Sequence, residues 1–268
     1  MSRGERRNGR ETASAPASTR SAVMMELRGR RGRSWTLLTP SNRYASHLPG
    51  LRGAVIFKLI TPRFAGARFA EYLVELDAGG GSDMPFLGHE HFLYVLDGDV
   101  DVLDGERVLS LQPGGFAYLP ADASLGFRAA KHGTARFLWL KRRYEPWPGV
   151  PAPSLARGDR DDALLEALPI PGLARRELIA PDDAAFDFNM SLLCFAPGAA
   201  LDRIEIHDEE HGLYMTRGAG RYYLDGEHHD VREGDFIYMA PYCPQSFQAT
   251  GAEPAEYLLY KDVFRDGF

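Results

Sequence analysis

Seven consecutive residues, Glu205-Ile206-His207-Asp208-Glu209-Glu210-His211, hold the side-chain types that chemistry needs. Glu205 and His207 are two apart, and residues two apart on a strand share a face. If that face is interior, a carboxylate and an imidazole point into one cavity. His211 follows four residues later, past a short acidic turn, and can return to the same point. Further on, Tyr238-Met239-Ala240-Pro241 reads as another strand passing the site, with Gln245 just beyond. A carboxylate, two imidazoles and an amide oxygen make a hard, mixed donor set. Such a set suits Mn²⁺ or Fe²⁺ better than the thiolate sites of structural zinc do. A Glu-x-His pair alone is commonly solvated surface; His211 and the acidic turn raise it to a candidate ligand set. The two cysteines, Cys194 and Cys243, read as free thiols of a reducing cytoplasm.

Strands must position these groups. The segment Phe92–Phe127 repeats as Gly212–Phe247: Tyr94 and Tyr214, Gly98 and Gly218, Gly114 and Gly234, Tyr118 and Tyr238, and Lys141 and Lys261 are all 120 residues apart. A fixed offset over so many positions marks a duplicated domain. Each copy alternates apolar and polar residues between turn pairs such as Asp104-Gly105 and Asp225-Gly226, a strong hairpin signal. The expected class is all-β, with two tandem barrels at about 36–145 and 175–268. Residues 146–174, rich in proline, read as a surface linker with one short helix at Asp161–Leu168. Residues 1–34 carry nine Arg and three Glu, whereas the remainder carries 22 basic and 34 acidic groups. The stretch 1–35 thus reads as a disordered basic tail, with Met24 or Met25 as a candidate start. The acidic body argues against nucleic acid, and no apolar run approaches the ~20 residues of a membrane helix.

The first copy carries a decoy, Gly88-His89-Glu90-His91. Shifted back by 120, His211 falls on His91, but Glu205, His207 and Gln245 fall on Pro85, Leu87 and Leu125. One imidazole cannot hold a catalytic ion, so this barrel is expected to serve packing and oligomer formation. His228 and His229 read as solvated hairpin residues.

The duplicated pattern resembles the cupin superfamily, whose barrels are double-stranded β-helices, or jelly rolls. His207, His211 and Gly218 fall on the second His, the Glu and the Gly of its first motif. Gly234 and Pro241 fit its second motif; Glu205 stands at the first His and Gln245 at the last. The permuted set Glu-His-His-Gln is similar to that of the (S)-ureidoglycine aminohydrolase family of bicupins in purine and allantoin breakdown. The likeness extends through LLTP at Leu37–Pro40, AEYLVEL at Ala70–Leu76, EHFLYV at Glu90–Val95, FLWLKRRY at Phe137–Tyr144, FDFNM at Phe186–Met190, FAPGA at Phe195–Ala199 and YKD at Tyr260–Asp262. The resemblance implies manganese, in the second barrel alone, on Glu205, His207, His211 and Gln245. It also implies a substrate pocket of Tyr222, Tyr257 and Lys261 with Glu205 and Gln245, in which Lys261 and Glu205 take part in the chemistry. The partner it implies is ureidoglycine, handled by a cytoplasmic homo-oligomer without nucleic acid or membrane. Two other functions compete: a bicupin dioxygenase or decarboxylase, which normally keeps three His and one Glu, and a cupin binding protein without turnover.

Overall fold

The computed structural model describes residues 1, 28–82, 85–180, 182–263 and 265. Among them nearly all regular structure is strand, and the one helical piece is a 3₁₀ turn at Pro40–Asn42. The helix expected at Asp161–Leu168 does not form. Leu165–Ala167 is instead a strand, paired antiparallel with Ala174–Arg176. Pro169 and Pro171 bar a helix from continuing, and an open sheet edge offers hydrogen bonds that a lone turn of helix cannot match.

The strands form two curled assemblies. One is a ten-stranded sheet drawn from the first copy; the other pairs an eight-stranded with a three-stranded sheet from the second. The copies exchange edges. Trp35–Leu38, whose last three residues are expected to open the first barrel, pairs with Phe236–Met239 of the second. Ala156–Asp159, expected in the linker, pairs with Gly115–Leu119 of the first. Gly115–Leu119 and Phe236–Met239 occupy corresponding places in the duplication, so each barrel has the same exposed edge covered. Residues 28–35, expected to be disordered, are likewise ordered: Arg30–Arg31 pairs with Thr36–Leu37, and Arg28 makes a two-pronged contact to the buried Asp235 at 2.6 and 3.0 Å. Met24 and Met25 lie outside the described residues.

Alternation along the strands sorts the apolar side chains into three cores. Inside the first barrel lie Tyr72, Phe127, Phe137 and Trp139. Inside the second lie Leu213, Met215, Tyr222, Phe247 and Tyr257. Between the barrels lie Phe69, Phe92, Tyr118, Phe188, Tyr238 and Tyr260. Arg142 is buried at this junction, 1% exposed, and faces Asp262 at 2.7 Å, Asp187 at 3.2 Å and Glu90 at 3.5 Å. Gly212 sets how closely the barrels approach: a Cβ there would lie 2.7 Å from the Phe69 ring and 3.1 Å from Glu71 Oε2. The repeated Gly98 and Gly218 both have positive φ, 69° and 74°, and both crowd a backbone carbonyl. Only glycine meets both demands.

Candidate active site in the second barrel

The interior of the second barrel is not filled. A cavity of about 290 Å³ lies between its two sheets. From the larger sheet, Asn189, Lys261 and His211 sit directly opposite one another on three adjacent strands. A second row, shifted by one strand, brings Arg175, Leu193 and Tyr257 into line. The smaller sheet supplies Tyr222 and Gln245. The loop before His211 supplies Glu205 and His207; Glu205 and Gln245 exchange backbone hydrogen bonds at 2.8 and 3.0 Å, which fixes the loop against the sheet. All seven residues singled out in the sequence line this one cavity: Glu205, His207, His211, Tyr222, Gln245, Tyr257 and Lys261.

The imidazoles of His207 and His211 turn their Nε2 atoms toward each other at 3.1 Å. The side-chain amide of Gln245 stands 3.2 Å from His207 Nε2, and its Oε1 accepts from Tyr222 Oη at 3.2 Å. Burial, then the nearness of His207 and Lys261, holds the His211 imidazole well below its ordinary pKa, so at neutral pH the ring is uncharged. Two donor nitrogens at this spacing fit adjacent positions on one octahedral ion, because ligands about 2.1 Å from a metal at right angles are about 3 Å apart. The amide presents oxygen or nitrogen by a half-turn. The donor chemistry therefore fits a divalent metal on His207, His211 and Gln245. Glu205 lines the same cavity, yet among the described residues no three His, Cys, Asp or Glu side chains converge closely enough to hold an ion. The tight cluster is thus two imidazoles and an amide, with Glu205 beside it.

The two tyrosines are strongly buried, 2% exposed each. Burial, with Tyr257 and Glu205 close by, raises the Tyr222 phenol, and burial with Glu205 raises Tyr257. Both are neutral hydrogen-bonding groups rather than bases.

A residue outside the expected set, Glu209, ties the site together. Its Oε1 accepts from Lys261 Nζ at 2.9 Å, and its Oε2 lies 2.8 Å from His207 Nδ1. Burial opposes its charge, but Lys261 outweighs burial and holds the carboxyl below its ordinary pKa. The contact falls short of hydrogen-bond geometry at Nδ1, so Glu209 acts on the ring through charge and proximity. The acidic run 208–210 contained this residue, but spacing alone could not say which of three acids turns inward. Glu210 turns instead to the barrel junction, accepting from Tyr238 Oη at 3.1 Å, and burial raises its pKa to about 7. Leu168 and Ile170 also wall the cavity, so part of the expected linker belongs to the site.

The decoy of the first barrel behaves differently. His91 is fully buried, its Nδ1 accepts from Trp139 Nε1 at 3.2 Å, and burial, with His89 and Lys141, lowers its pKa to about 3. His89 hangs outside, its ring centre 6.5 Å away. His229 is no solvated turn residue; its ring packs 4.5 Å from Trp35.

The chain is similar to known proteins over most of its length. The cupin domain family matches residues 191–260, the stretch that carries His207, His211 and Gln245. The (S)-ureidoglycine aminohydrolase of Escherichia coli (strain K12) is 35% identical over 238 residues, covering 87% of this chain and 90% of the relative. That of Arabidopsis thaliana is 32% identical over 235 residues, covering 87% and 77%. Among solved structures, protein Ylba from E. coli superposes with a TM-score of 0.81 at 32% identity, over 92% of this chain and 99% of that one. A putative glyoxylate induced protein from Pseudomonas aeruginosa gives 0.81 at 28% identity, over 90% and 92%. With identity of this order sustained over most of each relative's length, the chain belongs to the (S)-ureidoglycine aminohydrolase family.

Proposed function

We propose that this chain hydrolyses (S)-ureidoglycine to (S)-ureidoglycolate and ammonia, with Mn²⁺ as its metal. The observation that carries the reading is the convergence of His207, His211 and Gln245 on one point in a cavity also lined by Lys261, Tyr222 and Tyr257. The substrate has one carbon bearing an amine, a ureido group and a carboxylate. In the reaction the oxygen of water bonds to that carbon, the bond to the amine breaks, and the amine leaves as ammonia.

His207, His211 and Gln245 would hold the ion, with Glu205 completing the set once its side chain turns inward. A bound divalent metal supplies Lewis acidity and a lowered pKa for water. The chain's own residues do the rest. Glu205, whose side chain makes no hydrogen bond among the described residues, would accept a proton from water. Lys261, steadied by Glu209, has ammonium protons left to pair with the substrate carboxylate or to protonate the departing amine at nitrogen. Tyr222 and Tyr257, as neutral phenols, orient the substrate so that one face of the carbon is attacked. The leucine-rich walls keep bulk water away and strengthen each of these contacts.

The test is ammonia release from ureidoglycine generated in situ from allantoate by its upstream enzyme, with and without added Mn²⁺. Metal-dependent ammonia release is the expected result. Its absence in metal-loaded protein would remove this function, and uptake of O₂ instead would favour a dioxygenase. Metal analysis separates Mn²⁺ from Fe²⁺. A homo-oligomer working in the cytoplasm goes with this reading, and sedimentation measures the first part.

A further inference from the structure

Four cavity-facing side chains have no hydrogen-bond partner among the described residues: Glu205, Tyr257, Asn189 and Ser191. The first two have roles above. Asn189 and Ser191 do not. They occupy alternate positions of the strand Phe188–Phe195 and so share its inner face. Both are buried, at 8% and 5% exposure. The wall around them is apolar, built from Leu173, Leu193, Leu201 and Leu259. Buried amides and hydroxyls are nearly always paired. The polar atoms of Asn189 and Ser191 are not sealed off without a partner; their amide and hydroxyl open onto the cavity, where the polar groups of a ligand can replace water.

Register says which end of the ligand they meet. Asn189 is directly opposite Lys261, which is directly opposite His211. The row therefore runs from the imidazole through the ammonium to the amide. Ser191 lies one row further, toward Arg175. Of the groups on the proposed substrate, the amine must sit by the metal ligands and the carboxylate suits Lys261. The remaining group is neutral, planar and rich in both donors and acceptors.

We infer that Asn189 and Ser191 form the pocket for the ureido group, –NH–CO–NH₂, and so set specificity. This rests on the function proposed above. An asparagine amide offers one acceptor oxygen and two N–H donors. Lying edge to edge with a ureido group, it donates to the ureido carbonyl and accepts from a ureido N–H. The serine hydroxyl rotates to serve whichever ureido atom remains. A neutral pair matches a neutral group, where a charged side chain would attract the wrong end of the substrate. Arg175 does not compete for that role, because it is ion-paired with Glu177.

The experiment uses two stable ligands that differ at one position, hydantoate (ureidoacetate) and N-acetylglycine, in which the terminal NH₂ is replaced by CH₃. Calorimetric titration of the Mn²⁺-loaded full chain is expected to show at least ~10-fold tighter binding of hydantoate, because a site built of hydrogen-bonding groups rejects an analogue lacking them. Asn189→Leu is expected to erase that preference, with hydantoate, which loses both contacts, weakened more than N-acetylglycine, which loses only the one to its carbonyl. Asn189→Asp, nearly the same in shape, and Ser191→Ala serve if the leucine variant fails to fold, and each is expected to shrink the preference. Wild-type protein that binds both ligands equally, or variants that keep the preference, would overturn the pocket while leaving ammonia release intact. Wild-type protein that binds neither ligand and releases no ammonia would overturn the substrate itself.

Discussion

The two barrels carry one pattern with opposite contents. In each, a lysine is registered directly opposite a histidine on the neighbouring strand: Lys141 with His91, and Lys261 with His211. Around the first pair, Trp139 packs 4.7 Å from Phe86 and 5.5 Å from Phe127, and Leu125 stands where the second barrel has Gln245. Around the second pair, Leu259 takes the place of Trp139, and a cavity remains. His91 is held by an indole N–H; His211 faces a second imidazole. A conserved strand register thus fixes where a site can be. The volume and polarity of the neighbours decide whether one exists. The aromatic filling turns the first barrel into a packed body, while the second gives up that packing for a cavity.

Breaking the comparison at its strongest point, His207→Ala is expected to lose bound metal and at least ~10³-fold in turnover, since removing a whole ligand disables every metal-dependent contribution. His91→Ala should leave both unchanged. Metal analysis beside ammonia release checks both variants, and full metal content in His207→Ala would dismantle the site. Next, Lys261→Ala should keep its metal and lose about 10²–10⁴-fold in kcat if Lys261 delivers a proton. A rise in KM alone would make it a carboxylate anchor. Lys141→Ala, its counterpart, should alter neither constant.

At the junction between the barrels, Arg142→Ala would strand Glu90, Asp187 and Asp262 as buried acids. A loss of about 3–5 kcal/mol in denaturant unfolding is expected from removing one partner of a buried ion pair. An effect of similar size concerns Glu71, buried at the same junction and raised by burial to about 8. A raised acid is best tolerated when protonated. Its contribution is therefore full below its unfolded value near 4.5 and is lost as pH climbs through about 8. Each pKa unit is ~1.4 kcal/mol, so Glu71→Gln should outlast the wild type by a few kcal/mol at pH 8 and match it at pH 4.5. Parallel urea titrations at the two pH values measure the difference.

Much of this molecule was legible in the chain. The duplication, the hairpin turns and the inward-pointing pairs all rest on local rules: side chains alternate with period two on a strand, and Asp-Gly fits only certain turns. The same rules put Leu125 and Leu87 of the first barrel at the positions of Gln245 and His207. The resemblance carried over Tyr222, Tyr257 and Lys261, whose side chains line the same cavity as the imidazoles. The segments that differ from expectation share one cause. Residues 161–168, 156–159 and 28–35 have weak local preferences of their own, yet all contribute strands or edge contacts to sheets built from distant parts of the chain.

The sequence by itself determined an all-β duplicated chain and the residue types that gather in its second half, because strand alternation and turn chemistry act between near neighbours. Tertiary structure alone decided that each barrel borrows the strand covering its edge, that Glu209 rather than Glu210 reaches Lys261 and His207, and that Asn189 faces an open wall. Those outcomes depend on register and space between strands far apart in the chain, which no spacing along it encodes.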